Sequence, residues 1–186
     1  MGQFISVLLM KIGGWRYIGE VPTEKKYVII SAPHTSMWDF VWGKFAFSSK
    51  KVNPAIFIKK ESFYFPMGIL LKRLNAKPVR RGPGVVSLVE QIFQHFEKND
   101  EFCVCITPEG TREKVTKWKK GFYYIAQKAQ IPIYLGIIDY RNKILTIGER
   151  FMPTNDYEKD MMYIKSYYHK HQPEPKHPKK FNWNIA

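Results

Sequence analysis

Short apolar runs alternate with amphipathic segments along this chain of 186 residues. Apolar runs bounded by polar or turn residues predict buried β-strands at 27–30, 55–58, 102–106, 133–138 and 144–147. Apolar positions at helical spacing predict helices at 37–47, 62–74, 85–96, 121–130 and 157–169, the second interrupted early by Pro66. This alternation predicts the α/β class, as a single-domain sandwich with a largely parallel mixed sheet flanked by helices.

The two ends of the chain depart from this central pattern. Residues 1–14 predict a short amphipathic helix on which Phe4, Leu8 and Ile12 share one face. A membrane span needs about 20 apolar residues, so this face is expected to pack on the core, with a lipid surface as the alternative. The predicted domain then covers 15–171. Prolines at 173, 175 and 178 predict an extended or disordered basic tail over 172–186.

Composition and charge narrow the choice of partner. Apolar residues make up 45% of the chain, which suits one compact domain, and aromatic residues make up 16%, so some are expected at an interface. The formal net charge of +14 predicts attraction to phosphate on nucleic acid, an anionic bilayer or a substrate, although any single basic cluster can be a solvated face. Cys103 and Cys105 alternate along one predicted strand and are interpreted as buried thiols in a reducing compartment.

The first candidate for chemistry is the pair His34 and Asp39, separated by four residues. The pair lies between the strand predicted at 27–30 and the helix predicted at 37–47, and such corners are where open α/β sheets bind ligands. An imidazole is suited to proton transfer near neutral pH, and a carboxylate bonded to its second nitrogen fixes its tautomer. The alternative is that Asp39 only caps the helix and His34 is a turn residue.

A second polar cluster, Thr-Pro-Glu-Gly-Thr-Arg at 107–112, follows the strand predicted at 102–106 and can reach the same sheet edge. With His34, Ser36 and Asp39, it resembles the glycerolipid acyltransferase family, which includes the 1-acylglycerol-3-phosphate acyltransferases and carries NHxSxxD-like and FPEGTR-like blocks. The resemblance covers roughly residues 15 to 150. This sequence departs from the family pattern at Pro33, Asn75, Thr107 and Gly136.

The resemblance implies a glycerol-3-phosphate acyltransferase-like fold and direct acyl transfer without a covalent acyl-enzyme. In that reaction His34 removes a proton from an acceptor hydroxyl, Asp39 orients the imidazole, and the donor is acyl-CoA or acyl carrier protein. The implied acceptor is a lysophospholipid, with 1-acylglycerol-3-phosphate the commonest in the family. The implied substrate-binding residues are Ser36, Lys59, Lys60, Arg80, Arg81, Glu109, Gly110, Thr111 and Arg112.

Several of these residues have distinct implied roles. Arg112 would hold the acceptor phosphate and Glu109 would position a hydroxyl or Arg112 itself, although the two can equally form an ion pair that braces the loop. Ser36 would orient the turn or a substrate. The oxyanion would be held by a backbone N–H near Gly110 or by a lysine, either Lys59 or Lys60.

No cofactor and no metal are expected, and the expected location is the cytoplasm, peripherally on the cytoplasmic face of the membrane. The charge makes an anionic membrane surface the expected partner. A nucleic-acid partner is not expected, because no nucleic-acid fold signature is present. Two alternatives remain: a phospholipid–lysophospholipid transacylase, and a catalytically silent basic protein that binds membranes or nucleic acid.

Overall fold

A computed structural model describes residues 2–80 and 82–185. The α-helices are α1 (Gln3–Gly13), α2 (Met37–Ser49), α3 (Met67–Arg73), α4 (Leu88–Lys98), α5 (Gly121–Ala129) and α6 (Tyr157–His171). The strands are β1 (Arg16–Ile18), β2 (Lys26–Ala32), β3 (Ile56–Lys59), β4 (Ala76–Val79), β5 (Phe102–Ile106), β6 (Ile133–Asp139), β7 (Ile144–Thr146) and β8 (Arg150–Phe151). Short 3₁₀ turns occur at Lys60–Ser62, Pro178–Lys180 and Trp183–Ile185.

Strand β2 is an interior strand of a six-stranded mixed sheet whose order is β1-β7-β6-β2-β5, with β8 added to β6. It pairs in parallel with β5 on one side and with β6 on the other. Strand β6 pairs antiparallel with β7 and β8, and β1 adds in parallel to β7. Strands β3 and β4 form a second, parallel sheet, and a parallel bridge from Ala55 to Val104 aligns it with β5. The carboxyl ends of β2 to β6 therefore lie along one edge.

Side chains of β2 alternate between two apolar layers, as expected for a strand covered on both faces. Val28 and Ile30 pack into the larger cluster on one face, and Tyr27 and Ile29 pack on the other. The larger cluster includes Ile92 of α4, Phe122 of α5 and Ile164 of α6. The opposite face is covered by α1 and α2, through Met10, Ala46 and Phe47. The α/β sandwich predicted from the sequence is confirmed.

Two helices begin later in the structure than the sequence predicted. In each case the helix starts directly after a residue that favours a helix N-terminus, Ser87 or Pro66. The helix predicted at 85–96 begins at Leu88, where the Ser87 side chain accepts a hydrogen bond from the Glu90 N–H, and this leaves Val85 and Val86 exposed. The helix predicted at 62–74 begins only at Met67, immediately after Pro66. Proline is well tolerated only at the start of a helix, which explains the second difference.

The sequence prediction that the apolar face of the first helix packs on the core is wrong. Phe4 is 81% exposed and Ile12 is 74% exposed, and Leu8 also faces solvent. The helix instead attaches to α2 through Met10 and the close approach of Gly13 to the Trp42 ring. The core contact therefore uses the side of α1 that carries Met10. The apolar side that carries Phe4, Leu8 and Ile12 stays open to solvent.

The tail also differs from the extended or disordered segment that its prolines predicted. The Glu174 N–H donates to Asp139 Oδ1 at 3.1 Å, and the His177 N–H donates to Thr35 Oγ1 at 3.2 Å. Phe181 is buried against the larger apolar cluster. Proline only prevents the helix from continuing, and these contacts hold the segment on the domain.

Candidate active site

His34 and Asp39 lie at the corner between β2 and α2. Ser36 is the N-cap of α2, and its side chain accepts from the Trp38 N–H at 3.2 Å. Asp39 completes the capping box by accepting from the Ser36 N–H at 2.8 Å. The same Oδ2 atom of Asp39 lies 3.0 Å from His34 Nδ1. Asp39 thus caps the helix and contacts the imidazole at once, so capping is not its only contact.

Asp39 is surrounded by donors. Its Oδ2 also accepts from the Thr35 N–H at 2.8 Å, and its Oδ1 accepts from the Tyr140 hydroxyl at 2.6 Å. Burial alone would raise the pKa of this carboxyl, but the hydrogen bonds from His34, Tyr140 and Ser36 outweigh it and the pKa is lowered. Asp39 is therefore a fixed carboxylate near neutral pH.

The charge on Asp39 decides which imidazole nitrogen carries the proton. A carboxylate only accepts hydrogen bonds, so His34 must donate from Nδ1, which leaves the lone pair on Nε2. The His34 side chain keeps 19% of its exposure, whereas that of Asp39 keeps 6%. A substrate hydroxyl can therefore reach the imidazole but not the carboxylate, which is the arrangement a general base requires.

Glu109 reaches the same corner from β5. The register pairs Ile30 with Ile106, so the residues after both strands emerge side by side. Glu109 Oε1 accepts from the His34 N–H at 3.0 Å, while Oε2 is buried without a hydrogen-bond partner in the described part of the chain. Burial raises the pKa of Glu109 from 4.5 to about 8, and the nearby Asp39 charge adds to that. The observed hydrogen bond of Glu109 braces the His34 backbone and does not involve Arg112.

Residues 107–120 form a folded loop between β5 and α5. Gly110 has φ +65° and its N–H donates to the Thr107 carbonyl at 3.0 Å, so that N–H is already occupied. A second bond, from the Lys119 N–H to the Pro108 carbonyl at 2.7 Å, closes the loop. Thr111 and Arg112 lie on its surface, and both are exposed. The sequence cluster therefore divides into a buried Glu109 and an outward-facing Arg112.

The remaining predicted residues lie at the ends of β3 and β4, at the same carboxyl edge of the strands but farther from His34. Lys59 ends β3 and is paired with Val79, after which Arg80 follows, while Lys60 opens a 3₁₀ turn. The side chains of Lys59, Lys60 and Arg80 are exposed. Strand β5 separates this second sheet from β2, because the second sheet is joined to β5 by the Ala55–Val104 bridge. Arg81 lies outside the described residues.

Tyr140 and Lys176 complete the site but were missed by sequence reasoning. Tyr140 follows β6, which is parallel to β2, and its position after that strand was the available signal. Its ring packs edge-on against Trp15, with centroids 4.9 Å apart. Lys176 comes from the tail, and its ammonium lies 4.9 Å from the Trp38 ring centroid. No sequence signal ties so distant a lysine to the corner.

The two cysteines lie apart from this chemistry. Cys103 and Cys105 are free thiols in β5 on the face that carries Tyr27 and Ile29, and burial raises the pKa of Cys105 to about 12. Within residues 2–80 and 82–185, no cluster of His, Cys, Asp or Glu has the arrangement of a metal site.

Comparison with known proteins agrees with the motif. The family model described as Acyltransferase matches residues 16–135, which include the β2–α2 corner and Glu109. The comparisons with curated proteins and with solved structures found no match. Because the matched segment covers more than half of the chain and contains the buried corner described above, this protein belongs to the Acyltransferase family.

Proposed function

We propose that this acyltransferase moves a fatty acyl group from acyl-CoA or acyl carrier protein to the hydroxyl of a lysophospholipid. The observation that carries the proposal is the contact of His34 Nδ1 with a buried Asp39 that accepts three further hydrogen bonds. This network holds the imidazole in one tautomer and one orientation, as a general base needs. The first acceptor to test is 1-acylglycerol-3-phosphate.

In the proposed reaction, His34 Nε2 takes the proton of the acceptor hydroxyl as the oxygen attacks the thioester carbonyl. The carbon–sulfur bond then breaks, and the imidazolium returns its proton to the leaving thiolate, so an ester and a free thiol result. Asp39 stays ionised and balances the imidazolium charge. Base catalysis of this kind contributes typically about 10²–10⁴ in rate. Tyr140 acts as a positioning residue, because it fixes the Asp39 oxygen that His34 does not use.

The carbonyl oxygen needs a donor as negative charge develops on it. The Gly110 N–H is committed to Thr107, which supports a lysine, Lys59 or Lys60, for this role. Both lysines are exposed at the carboxyl edge and have no carboxylate partner among the described residues.

The acceptor phosphate is assigned to exposed arginines. Arg112 is exposed on the loop that follows β5 and forms no ion pair within the described residues, and Arg80 follows β4 beyond Lys59. The Arg80 backbone is held by Gln91, which accepts from its N–H at 3.1 Å and donates to its carbonyl at 2.9 Å. A guanidinium on a fixed backbone suits bidentate binding of a phosphate.

The lipid acceptor also requires contact with a bilayer, and we propose that the open side of α1 provides it. No helix within residues 2–80 and 82–185 is long and apolar enough to cross a membrane. The exposed Phe4, Leu8 and Ile12 would insert, and the +14 charge would attract anionic lipids. This supports a peripheral location on the cytoplasmic face.

The experiment is a transfer assay with purified protein, labelled acyl-CoA or labelled acyl carrier protein, and a panel of lysophospholipids. We expect label in the lipid product, and His34→Ala should lower turnover at least about 10²-fold. His169→Ala is the matched control, since this histidine is exposed on α6. Wild-type rates in His34→Ala, or acyl transfer from phospholipid without any thioester, would contradict the proposal; the latter result would identify a transacylase.

A further inference from the structure

A polar cleft lies at the C-terminal end of α2, the end farther from His34. Its volume is about 250 Å³, and it is bordered by the start of α1, the second half of α2 and the end of α3. Ser48, on this cleft, is nine residues beyond Asp39, which corresponds to about 13 Å along the helix axis. The cleft is therefore at the amino edge of the sheet, away from His34.

The charged residues that line this cleft are Lys44, Lys51 and Arg73, and none of its lining residues is Asp or Glu. Lys44 is only 7% exposed, and its ammonium donates to the neutral Asn53 Oδ1 at 2.7 Å. A buried cation without a carboxylate is costly to maintain. Burial accordingly lowers the pKa of Lys44.

The other two cations that line the cleft are Lys51 and Arg73. Within residues 2–80 and 82–185, no carboxylate forms an ion pair with Lys51 or Arg73. The start of α1 adds partial positive charge to the cleft, because Gln3 lines the cleft and the N-terminus of a helix is the positive end of its dipole. The first turn of α1 contains no acidic residue. Three positive side chains and the positive end of a helix dipole thus converge on one concave space.

The adjoining larger cavity, of about 500 Å³, shows a different balance. It shares Lys51 and Asn53 with the cleft but is also lined by Glu24 and Glu101. Glu24 accepts hydrogen bonds from Arg150 at 2.7 Å and from the Tyr134 hydroxyl. The larger cavity therefore contains carboxylates among its lining residues, whereas the smaller cleft is lined by none.

We propose that the smaller cleft is a phosphate-binding site, separate from the His34 site, that takes a phosphate ester or the phosphate of an anionic lipid headgroup. A phosphate would supply the negative charge that Lys44, Lys51 and Arg73 lack, and the cleft volume accommodates it. The exposed Phe4 lies next to Gln3 on α1, so a headgroup in the cleft is compatible with an α1 that rests on a bilayer. The site does not depend on acyl transfer.

The test is a titration of the full-length protein with inorganic phosphate at constant ionic strength, followed by calorimetry and by amide shifts in NMR spectra. We expect saturable binding with shifts centred on residues 51–53. The double variant Lys51→Gln/Arg73→Gln should weaken phosphate binding at least about 10-fold, because it removes two charge-assisted contacts. Both side chains are exposed, so the fold should persist.

The matched control is Lys50→Gln/Lys72→Gln, which removes the same charge from the adjacent positions outside the cleft lining. We expect it to change phosphate affinity less than twofold. Equal losses in the two double variants would overturn the site, since they would indicate only the long-range field. Absence of saturable phosphate binding in the wild type would overturn it as well.

Vesicles identify the source of the phosphate. If the double variant binds phosphatidylcholine vesicles that contain phosphatidate less well than the control does, the site takes a lipid headgroup. If both variants bind these vesicles equally and only the double variant loses inorganic phosphate, the site takes a soluble phosphate ester. Either result supports the cleft as a binding site, because the phosphate titration itself decides that point.

Discussion

Replacing Tyr140 with Phe tests how the candidate base is held. The change removes the hydroxyl that donates to Asp39 Oδ1 at 2.6 Å, while the ring and its edge-on contact with Trp15 remain. Oδ2 keeps its three donors from His34, Thr35 and Ser36. Asp39 therefore stays near the imidazole but loses the hydrogen bond that holds its Oδ1 atom.

A hydrogen bond to a charged group contributes about 1.5–3 kcal/mol, and a tenfold change in rate corresponds to about 1.4 kcal/mol. Because three of the four donors survive, we expect Tyr140→Phe to lower kcat/KM by about 5- to 20-fold, with most of the loss in kcat. The lost hydrogen bond also raises the pKa of Asp39, so any loss of rate through protonation of this carboxyl should begin at a higher pH than in the wild type.

The assay is the steady-state rate of acyl transfer between pH 5 and pH 9, with the melting temperature measured alongside. Tyr134→Phe is the matched control, since this tyrosine lies on β6, the strand that Tyr140 follows, and donates to Glu24, away from His34. A Tyr140→Phe enzyme with the wild-type rate and pH profile would refute the supporting role of this hydroxyl. A similar loss of rate in both variants would attribute the effect to packing.

Three further predictions use other parts of the structure. Arg112→Ala should raise the KM for the acceptor more than the KM for the donor, measured by varying each substrate in turn, because it removes a phosphate contact. Glu109→Gln should gain stability relative to wild type as pH rises from about 4.5 to 8, by a few kcal/mol in denaturant melts, because the folded protein holds the carboxyl proton in that range and the unfolded chain does not. Phe4→Ser/Ile12→Ser should weaken the salt-resistant part of binding to anionic vesicles in sedimentation without lowering the melting temperature, because both side chains are exposed.

The architecture and the dyad were predictable because they depend on local patterns. Apolar runs gave the central strands, and the contact of His34 with Asp39 follows from a capping box within a few residues of the chain. The alternation of Cys103 and Cys105 likewise placed both thiols on one face. Each of these features needs only the geometry of one strand or one helix start.

The features that sequence reasoning missed depend on contacts between distant segments. Tyr140 meets Asp39 only because β6 pairs beside β2, and the tail meets Thr35 only after α6 has crossed the sheet. The open side of α1 is a related case, because its periodicity predicts an apolar face but not which neighbour covers it. An amphipathic pattern identifies the apolar face of a helix, but only tertiary packing decides which element covers that face.

The tail has a consequence for how the enzyme can be divided or recombined. The family match ends at residue 135, yet Tyr140 supports Asp39 from beyond that limit and Lys176 lies over Trp38. A chimera that exchanges only residues 16–135 with a related enzyme would take Asp39 and Trp38 from another chain than Tyr140 and Lys176, which contact them. The unit that can be transplanted intact therefore includes the segment through His177, whose N–H reaches Thr35. An affinity tag joined closely behind that segment would lie near the corner that holds His34 and Asp39, whereas a tag before α1 would lie near the side proposed to face the bilayer.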